Sequence, residues 1–421
     1  MAPKKLAAAI VAAVALGAPA TAAADVVTDW NRTLVDAIIT AKTAPQPGTR
    51  IGAIVQTSVF DAVNGITGRY AQIHPEVLLA TPPHGASREA AAANAAYTAL
   101  VASYPSQKST FDAQLATSLA GIQGSPQSIA DGVAWGQTVA AAVLASRSTD
   151  GLTTPLPPYV VQPMPSWQPT LPLFAGPTLR NFADMTPWAM SSPSQFMPPA
   201  PPALTSHQYA NDLAEVKAIG SANSSVRTPE QTLIAQFWGL GANNVATFYN
   251  RTTEALLAQR HLSITAEARI FALLDVAEAD GVIAIWCAKN HYNTWRPITA
   301  IENADLDGND ATAPELGWRP LLPTPPFQEY PSGHAGVSSA AVTVLSAFFG
   351  DHTTFTIVSD GVPGAPVTER TYTSFSDMVQ EVVDARVFGG IHFRFADDAA
   401  VAVGRDVGRN VLATQAAPLH D

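Results

Sequence analysis

The sequence predicts an all-α protein made of helical bundles, crossed by one irregular, proline-rich strap. Three observations carry this. Apolar residues recur at helical spacing, as in Leu34-Val35-Ile38-Ile39, one turn after Asn31, and Ile54-Val55-Val59-Phe60-Val63. Alternating strand patterns are scarce, and prolines crowd one stretch in the middle of the chain.

Residues 1–24 read as a secretory leader: Lys4 and Lys5 precede an apolar run from Leu6 to about Ala18, and small residues follow. Cleavage there removes both lysines and takes the formal net charge from −11 to −13. The expected destination is outside the cytoplasm, either extracellular or periplasmic. Residues 25–150 form the N-terminal helical half. From 151 to 205 lies the strap, where Trp167, Phe174, Trp188 and Phe196 sit among the prolines and point to ordered packing on the body. Helical periodicity resumes over 206–421, notably at Gln231–Trp238 and Ala266–Lys289, and the two helical halves are expected to form one integrated domain.

An acidic chain is repelled by nucleic acid and by anionic membranes, so neither is an expected partner. After the leader the most apolar stretches, such as Ala340–Phe349, are too short to span a bilayer about 30 Å thick. A single cysteine, Cys287, has no internal disulfide partner and is expected to be a small buried residue. Asp305–Asp310 superficially resembles a calcium loop, but its glycine is misplaced, so a solvated turn is expected.

Against this acidic background three short segments concentrate positive charge. In the first, Trp286-Cys287-Ala288-Lys289-Asn290-His291-Tyr292-Asn293-Thr294-Trp295-Arg296-Pro297, a spacing of seven is nearly two helical turns. Lys289 and Arg296 are therefore expected on one helix face, with Pro297 near its end. A solvated basic face would show the same pair. The second, Phe327-Gln328-Glu329-Tyr330-Pro331-Ser332-Gly333-His334, runs into a small-residue helix over Ala335–Phe349. A helix entered through Ser332-Gly333 offers free N–H groups and the positive end of its dipole to an anion, and His334 adds a proton-exchanging group. In the third, Arg386 ends a helical pattern begun near Ser374, and Gly389-Gly390 turns the chain so that His392 faces back towards it. An imidazole beside a guanidinium loses basicity and keeps a nitrogen free.

Taken together, Lys-x6-Arg-Pro, Pro-Ser-Gly-His and Arg-x5-His resemble the signature of the superfamily of vanadium-dependent haloperoxidases and type-2 phosphatidic-acid phosphatases. The resemblance covers mainly Ser206–Leu412 and is nearer to bacterial haloperoxidase-like proteins than to soluble acid phosphatases. It implies an oxyanion cradle in which Lys289, Arg296 and Arg386 neutralise the anion's oxygens while Ser332 and Gly333 donate hydrogen bonds. His392 is implied as the residue bonded to vanadium, and His334 as the catalytic acid–base group. The implied cofactor is vanadate, for which phosphate can substitute. The implied reaction is halide oxidation by hydrogen peroxide, with a small organic acceptor for the product. Phe327 stands where chloroperoxidases of the family resemble this chain, and Trp286, one turn before Lys289, is a second candidate for the halide pocket. By analogy, assembly is a homodimer through the N-terminal helices. Among the other histidines, His291 and His352 lie near the motifs without zinc-ligand spacing, while His74, His84, His207, His261 and His420 read as surface or loop residues.

Two departures stand out. Ala385 and Ala396 replace the serine and aspartate the family often carries, and Asp397 comes one step late, a rotation of about 100° on a helix. The sequence therefore expects Asp397 to miss the usual partner and offers Glu230, near Arg227, as a substitute. Two other functions fit the same cradle: a secreted phosphomonoesterase with His392 as nucleophile, and a protein that binds the anion without turnover.

Overall fold

Serine initiates many of the helices. Ser87, Ser125, Ser206, Ser263 and Ser374 are each extended, and each accepts a hydrogen bond on its side chain from the N–H three residues on. The computed structural model describes residues 26–76, 78, 80–239, 245–359 and 368–419; the leader at 1–24 and His420 lie outside them. The class is all-α, as expected.

The N-terminal helices are α1 (Val26–Thr40), α2 (Pro45–Thr67), α3 (Arg88–Ser103), α4 (Lys108–Gly121) and α5 (Pro126–Arg147). Alanines on α3 and glycines on α5 bring two backbones together: a methyl group at Gly136 would lie 2.3 Å from the Ala91 carbonyl oxygen. After the strap come α6 (His207–Ile219), α7 (Pro229–Gly239), α8 (Val245–Leu257), α9 (Ile264–Tyr292), α10 (Pro297–Glu302), α11 (Gly333–Phe349), α12 (Phe375–Phe388) and α13 (Arg394–Thr414). One antiparallel strand pair, β1 (Phe355–Val358) with β2 (Glu369–Tyr372), sits between α11 and α12.

Helix α9 is the axis. It is apolar on nearly every side, which marks a helix surrounded by protein. It packs against α2 on the N-terminal side and against α11 and α13 on the other. One hydrophobic core accordingly runs from Val27 and Trp30 of α1 through Phe271 and Ile285 of α9 to Val407 of α13. No described helix is long and apolar enough to cross a membrane.

Strap residues 151–205 contain no α-helix, and the strap is pinned by specific bonds. The buried carboxylate of Asp280 on α9 accepts the N–H groups of Trp188, Ala189 and Met190 at 2.8–3.0 Å. Arg147 stacks 3.7 Å from the Trp188 ring and donates to the Thr186 carbonyl. Trp167 is fully buried, and its N–H donates to the Asn293 carbonyl. Phe174, by contrast, is largely exposed. The Asp305–Asp310 segment is a turn closed on itself, with Asp307 buried and accepting from Asn309 and Thr312. Cys287 is half-buried and so less enclosed than expected. His74 is a loop residue but a buried one, paired at 2.9 Å with Asp61.

Asp275 and Glu278, also on α9, are buried with no cation paired to them among the described residues; Asp275 accepts from Asn250 at 3.2 Å, and neither Glu278 oxygen has a hydrogen-bond partner among those residues. Burial pushes Asp275 up to about 8, and burial reinforced by Asp275 raises Glu278.

Two stability predictions result. Asp280→Ala strands the N–H groups of Trp188, Ala189 and buried Met190 and should cost roughly 2–4 kcal/mol in chemical denaturation; a loss below about 1 kcal/mol means that the strap is held elsewhere. The folded chain keeps protons on the Asp275/Glu278 pair that the unfolded chain releases above about pH 4, so stability should fall as pH rises from there towards 8. Glu278→Gln should flatten that fall in melting temperature, whereas parallel curves for variant and parent would rule the pair out as its source.

Candidate functional site

Lys289 lies in the last turn of α9, fully buried, and its Nζ donates to the carbonyls of Gln328 and Glu329 at 2.7 and 2.9 Å. The helix then stops. Asn293 takes the left-handed conformation at φ 49° and closes the last turn on the Lys289 carbonyl, a geometry asparagine tolerates. Arg296 is extended, with Pro297 opening α10 behind it. Lys289 and Arg296 are thus not on one helix face, contrary to the sequence expectation. A chain reversal brings them together instead: Arg296 Nε donates to the Phe327 carbonyl at 2.8 Å, next to the carbonyls that Lys289 holds.

That same loop leads into α11. Ser332 is extended at its N-terminus, and the Ser332 N–H donates to the Ala396 carbonyl at 3.0 Å. Its side chain does not cap the helix, and its buried hydroxyl lies against the Asp397 carboxylate. The N–H groups of Gly333 and His334, in the first turn, have no intrahelical acceptor. Arg386 comes from the last turn of α12; Nη1 donates to the Trp238 carbonyl at 3.1 Å while Nε has no partner. Gly390, at φ 75°, then turns the chain so that buried His392 points back into the cluster.

His392 is held at both ring nitrogens. Nδ1 lies 2.9 Å from Glu329 Oε1, and Nε2 lies 3.1 Å from Arg296 Nη1. A carboxylate accepts and a guanidinium donates, so the ring is the neutral Nδ1–H tautomer with its lone pair on Nε2. Burial, then the charges of Arg296, Lys289 and Arg386, holds His392 well below the usual histidine range. Burial followed by Arg386, Lys289 and Arg296 does the same to His334. The cations feel their own crowding. Burial lowers Lys289 strongly, with Arg296 adding to it, and pushes Arg296 down to about 9 and Arg386 to about 10. Such a cluster favours whatever brings negative charge to it.

Two carboxylates face the cluster. Glu329, pushed up to about 7 by burial, is the partner of His392 and also accepts the Phe393 N–H at 3.0 Å. In the sequence Glu329 carries no signal of this role beyond being an acid beside the Ser332 turn. Asp397 does reach the site. It is fully buried beside the Ser332 hydroxyl and within electrostatic range of Arg386. Glu230 is no substitute: it pairs with Arg370 at 2.9 Å on an exposed face.

A small cavity opens onto this cluster, lined by His334, Arg386, His392 and Gly333 on the polar side and by Trp286, Phe327, Val245, Val282, Pro325 and Val337 on the apolar side, with Pro45 and Gln46 of α2 completing it. Both sequence candidates for its wall are present: the Trp286 and Phe327 rings lie 5.2 Å apart. Phe327 also meets Arg296 at 4.9 Å and Lys289 at 5.3 Å from its centroid. His291 and His352 do not line the cavity. A wider groove between α11, α12 and α13 lies apart from it and shares none of its residues. Among the described residues no group of three or more His, Cys, Asp or Glu is arranged to hold a metal ion.

Residues 269–420, which contain all three motifs, match the family model described as VCPO second helical-bundle domain. Vanadium chloroperoxidase from Curvularia inaequalis is 27% identical over 295 residues, covering 56% of this chain and 46% of that protein. The chain thus spans about half the length of the curated relative it matches. Among solved structures, a bacterial vanadium-dependent iodoperoxidase superposes with a TM-score of 0.79 at 24% identity, covering 94% of this chain and 97% of the other. A bacterial vanadium-dependent chloroperoxidase in its apo form gives 0.67 at 18% identity, covering 87% and 93%. These likenesses extend the shared fold over the N-terminal helices as well.

If Glu329 sets the His392 tautomer, Glu329→Ala should weaken binding of orthovanadate or phosphate about 10–100-fold by calorimetry. Unchanged affinity would show that the carboxylate does not orient the ring.

Proposed function

On the match of residues 269–420, we propose that this chain is a vanadium haloperoxidase that oxidises halide with hydrogen peroxide, using vanadate held in the cavity described above. One observation carries the reading: His334, His392, Arg386 and Gly333 line one small cavity, and the buried charges of Lys289, Arg296 and Arg386 converge on its two imidazoles. The donor set fits a tetrahedral oxyanion. Among the described residues Arg296 Nη2 and Arg386 Nε are buried with no partner, the Ser332 hydroxyl lies against Asp397, and Gly333 lines the cavity.

Lys289, Arg296 and Arg386 would hold the oxygens of vanadate, Ser332 and Gly333 would donate to it, and His392 Nε2 would bond its metal centre. Bound vanadate supplies an electrophilic centre that activates hydrogen peroxide towards halide without changing its own oxidation state. Hydrogen peroxide, halide and one proton give hypohalous acid and water, which a small organic acceptor then consumes. The protein's part is electrostatic and positional. The cations draw electron density away from the anion's oxygens, and Glu329 fixes the ring that offers Nε2. His334, kept neutral by its surroundings, takes a proton from incoming peroxide on a ring nitrogen and returns it to the departing oxygen. The apolar wall of Trp286, Phe327 and Val282 keeps bulk water from the reacting oxygen.

Export through the leader at 1–24 and homodimer formation through the N-terminal helices belong to the same proposal. The leader's charge pattern supports the first, and family analogy supports the second.

The test loads the purified mature chain with orthovanadate, adds peroxide with chloride, bromide or iodide, and follows halogenation of a dione. Vanadate-dependent halogenation is expected, and His392→Ala should abolish it. Phosphate-ester hydrolysis that vanadate inhibits, without halogenation, would instead make the chain a phosphatase with His392 as nucleophile. Phosphate binding with neither activity would leave an anion-binding protein.

A further inference from the structure

Six of the twelve large apolar side chains that are exposed among the described residues lie within fifteen residues of the strap: Val160, Val161, Met164, Leu171, Leu173 and Phe174. Leu173 is 81% exposed, Val160 70% and Phe174 62%. Apolar side chains scattered singly over a surface are ordinary, but half of the total on one loop is a patch. None of the twelve lies on helices α1 to α5, and none of the six lines the cavity or the groove described above.

The loop that bears them is held in place. Arg180 donates to the Pro157 carbonyl at 2.7 Å and Asn181 to the Thr154 carbonyl at 2.6 Å, which ties its two ends together. Its inner side is bonded to the body: the Trp167 N–H meets the Asn293 carbonyl, the Trp295 N–H meets the Pro165 carbonyl at 3.2 Å, and the Thr178 N–H meets the Pro326 carbonyl at 3.0 Å. Main-chain polar groups are thus spent inward while apolar side chains face water, the reverse of what a loop gains from in a single copy. Phe174 adds backbone strain. It sits in the left-handed region at φ 48°, which a bulky side chain disfavours, and its largely exposed ring recovers no burial in return.

Charge indicates what covers the patch. From Gly151 to Leu179 the chain has no Asp, Glu, Lys or Arg, on a protein of formal net charge −11. Two copies of an acidic chain repel one another, and least where acids are missing. A membrane suits this loop less, because interfacial segments hold headgroups with Lys and Arg, and it has neither. The loop from Pro157 to Arg180 is 24 residues long, in the range of about 20–30 residues that each side of a specific interface supplies. We propose that the outer face of this loop is a self-association surface, on which a second copy of the chain seats the same residues. Contact between identical patches is isologous and closes at two copies. The inference does not depend on the haloperoxidase reading. It places a contact on a face apart from the N-terminal helices, which expose none of the twelve side chains.

The test measures the mass of the full mature chain by sedimentation and light scattering across a concentration series. The parent should associate, and Leu173→Glu combined with Phe174→Asn should halve its mass, whatever contacts other faces make. Asparagine tolerates the left-handed conformation at position 174, so the melting temperature of the separated chains should not fall. Val160→Glu, at the other end of the patch, should weaken association at least tenfold by itself and checks the result with an independent variant. A parent that sediments as a single copy up to about 100 μM overturns the proposal. So does a mass that neither variant changes. Binding of the parent to phosphatidylcholine vesicles that both variants lose, with mass unaltered, would make the patch a membrane contact and overturn it as well.

Discussion

Buried positive charge without a paired anion is the constraint that organises this molecule. Lys289, Arg296 and Arg386 are each no more than 2% exposed, and among the described residues none forms an ion pair with a carboxylate. Removing such a group from water carries a penalty of several kcal/mol even after relaxation. Main-chain carbonyls offset part of it. Phe327, Gln328 and Glu329 supply three consecutive carbonyls, to Arg296 and Lys289, while Ile391 and Trp238 supply the others. Loop and cations therefore fix one another, and donors remain on the cavity side because the carbonyls use up only part of each cation's capacity.

Holding that arrangement places demands on helices far from it. Helix α9 carries Lys289 at its C-terminal end, Trp286 and Val282 along the cavity, and Asp280 on the strap. One rigid rod thus sets the position of cation, cavity wall and strap together. The strap in turn meets the segment after α9: the Trp167 N–H reaches the Asn293 carbonyl, and the Tyr159 hydroxyl reaches the Asn293 side chain at 2.9 Å. The residue that ends α9 is therefore clamped from outside, and the path that returns Arg296 to the site is held from both directions.

What the sequence disclosed follows from how local each feature is. Helical periodicity and the Ser332-Gly333 entry to α11 are properties of adjacent residues and can be read directly. The relation of Lys289 to Arg296 is less local. Their spacing fits one helix face, and only the left-handed conformation at Asn293, secured by strap contacts some 130 residues away in sequence, shows that the helix has ended. Glu329 was invisible for a different reason. Its pairing with His392 joins positions 63 apart, and a lone acid beside a tyrosine has no periodicity to announce it. Gln46 lies further off still, since only the packing of α2 on α9 brings it to the cavity.

The replacement of aspartate by Ala396 can be understood in the same terms. An imidazole that must offer Nε2 requires an acceptor at Nδ1, but the physics does not specify from which segment the acceptor comes. Glu329 fills that requirement from the loop before α11, and its Oε1 is shared with the Phe393 N–H, which fixes the carboxylate against rotation. Asp397 lies beside the Ser332 hydroxyl, while Ala396 packs in the apolar cluster that holds Tyr330 and Phe393. The ring of His392 is thus oriented from the loop before α11, by a residue that lies outside the segment carrying Ala396.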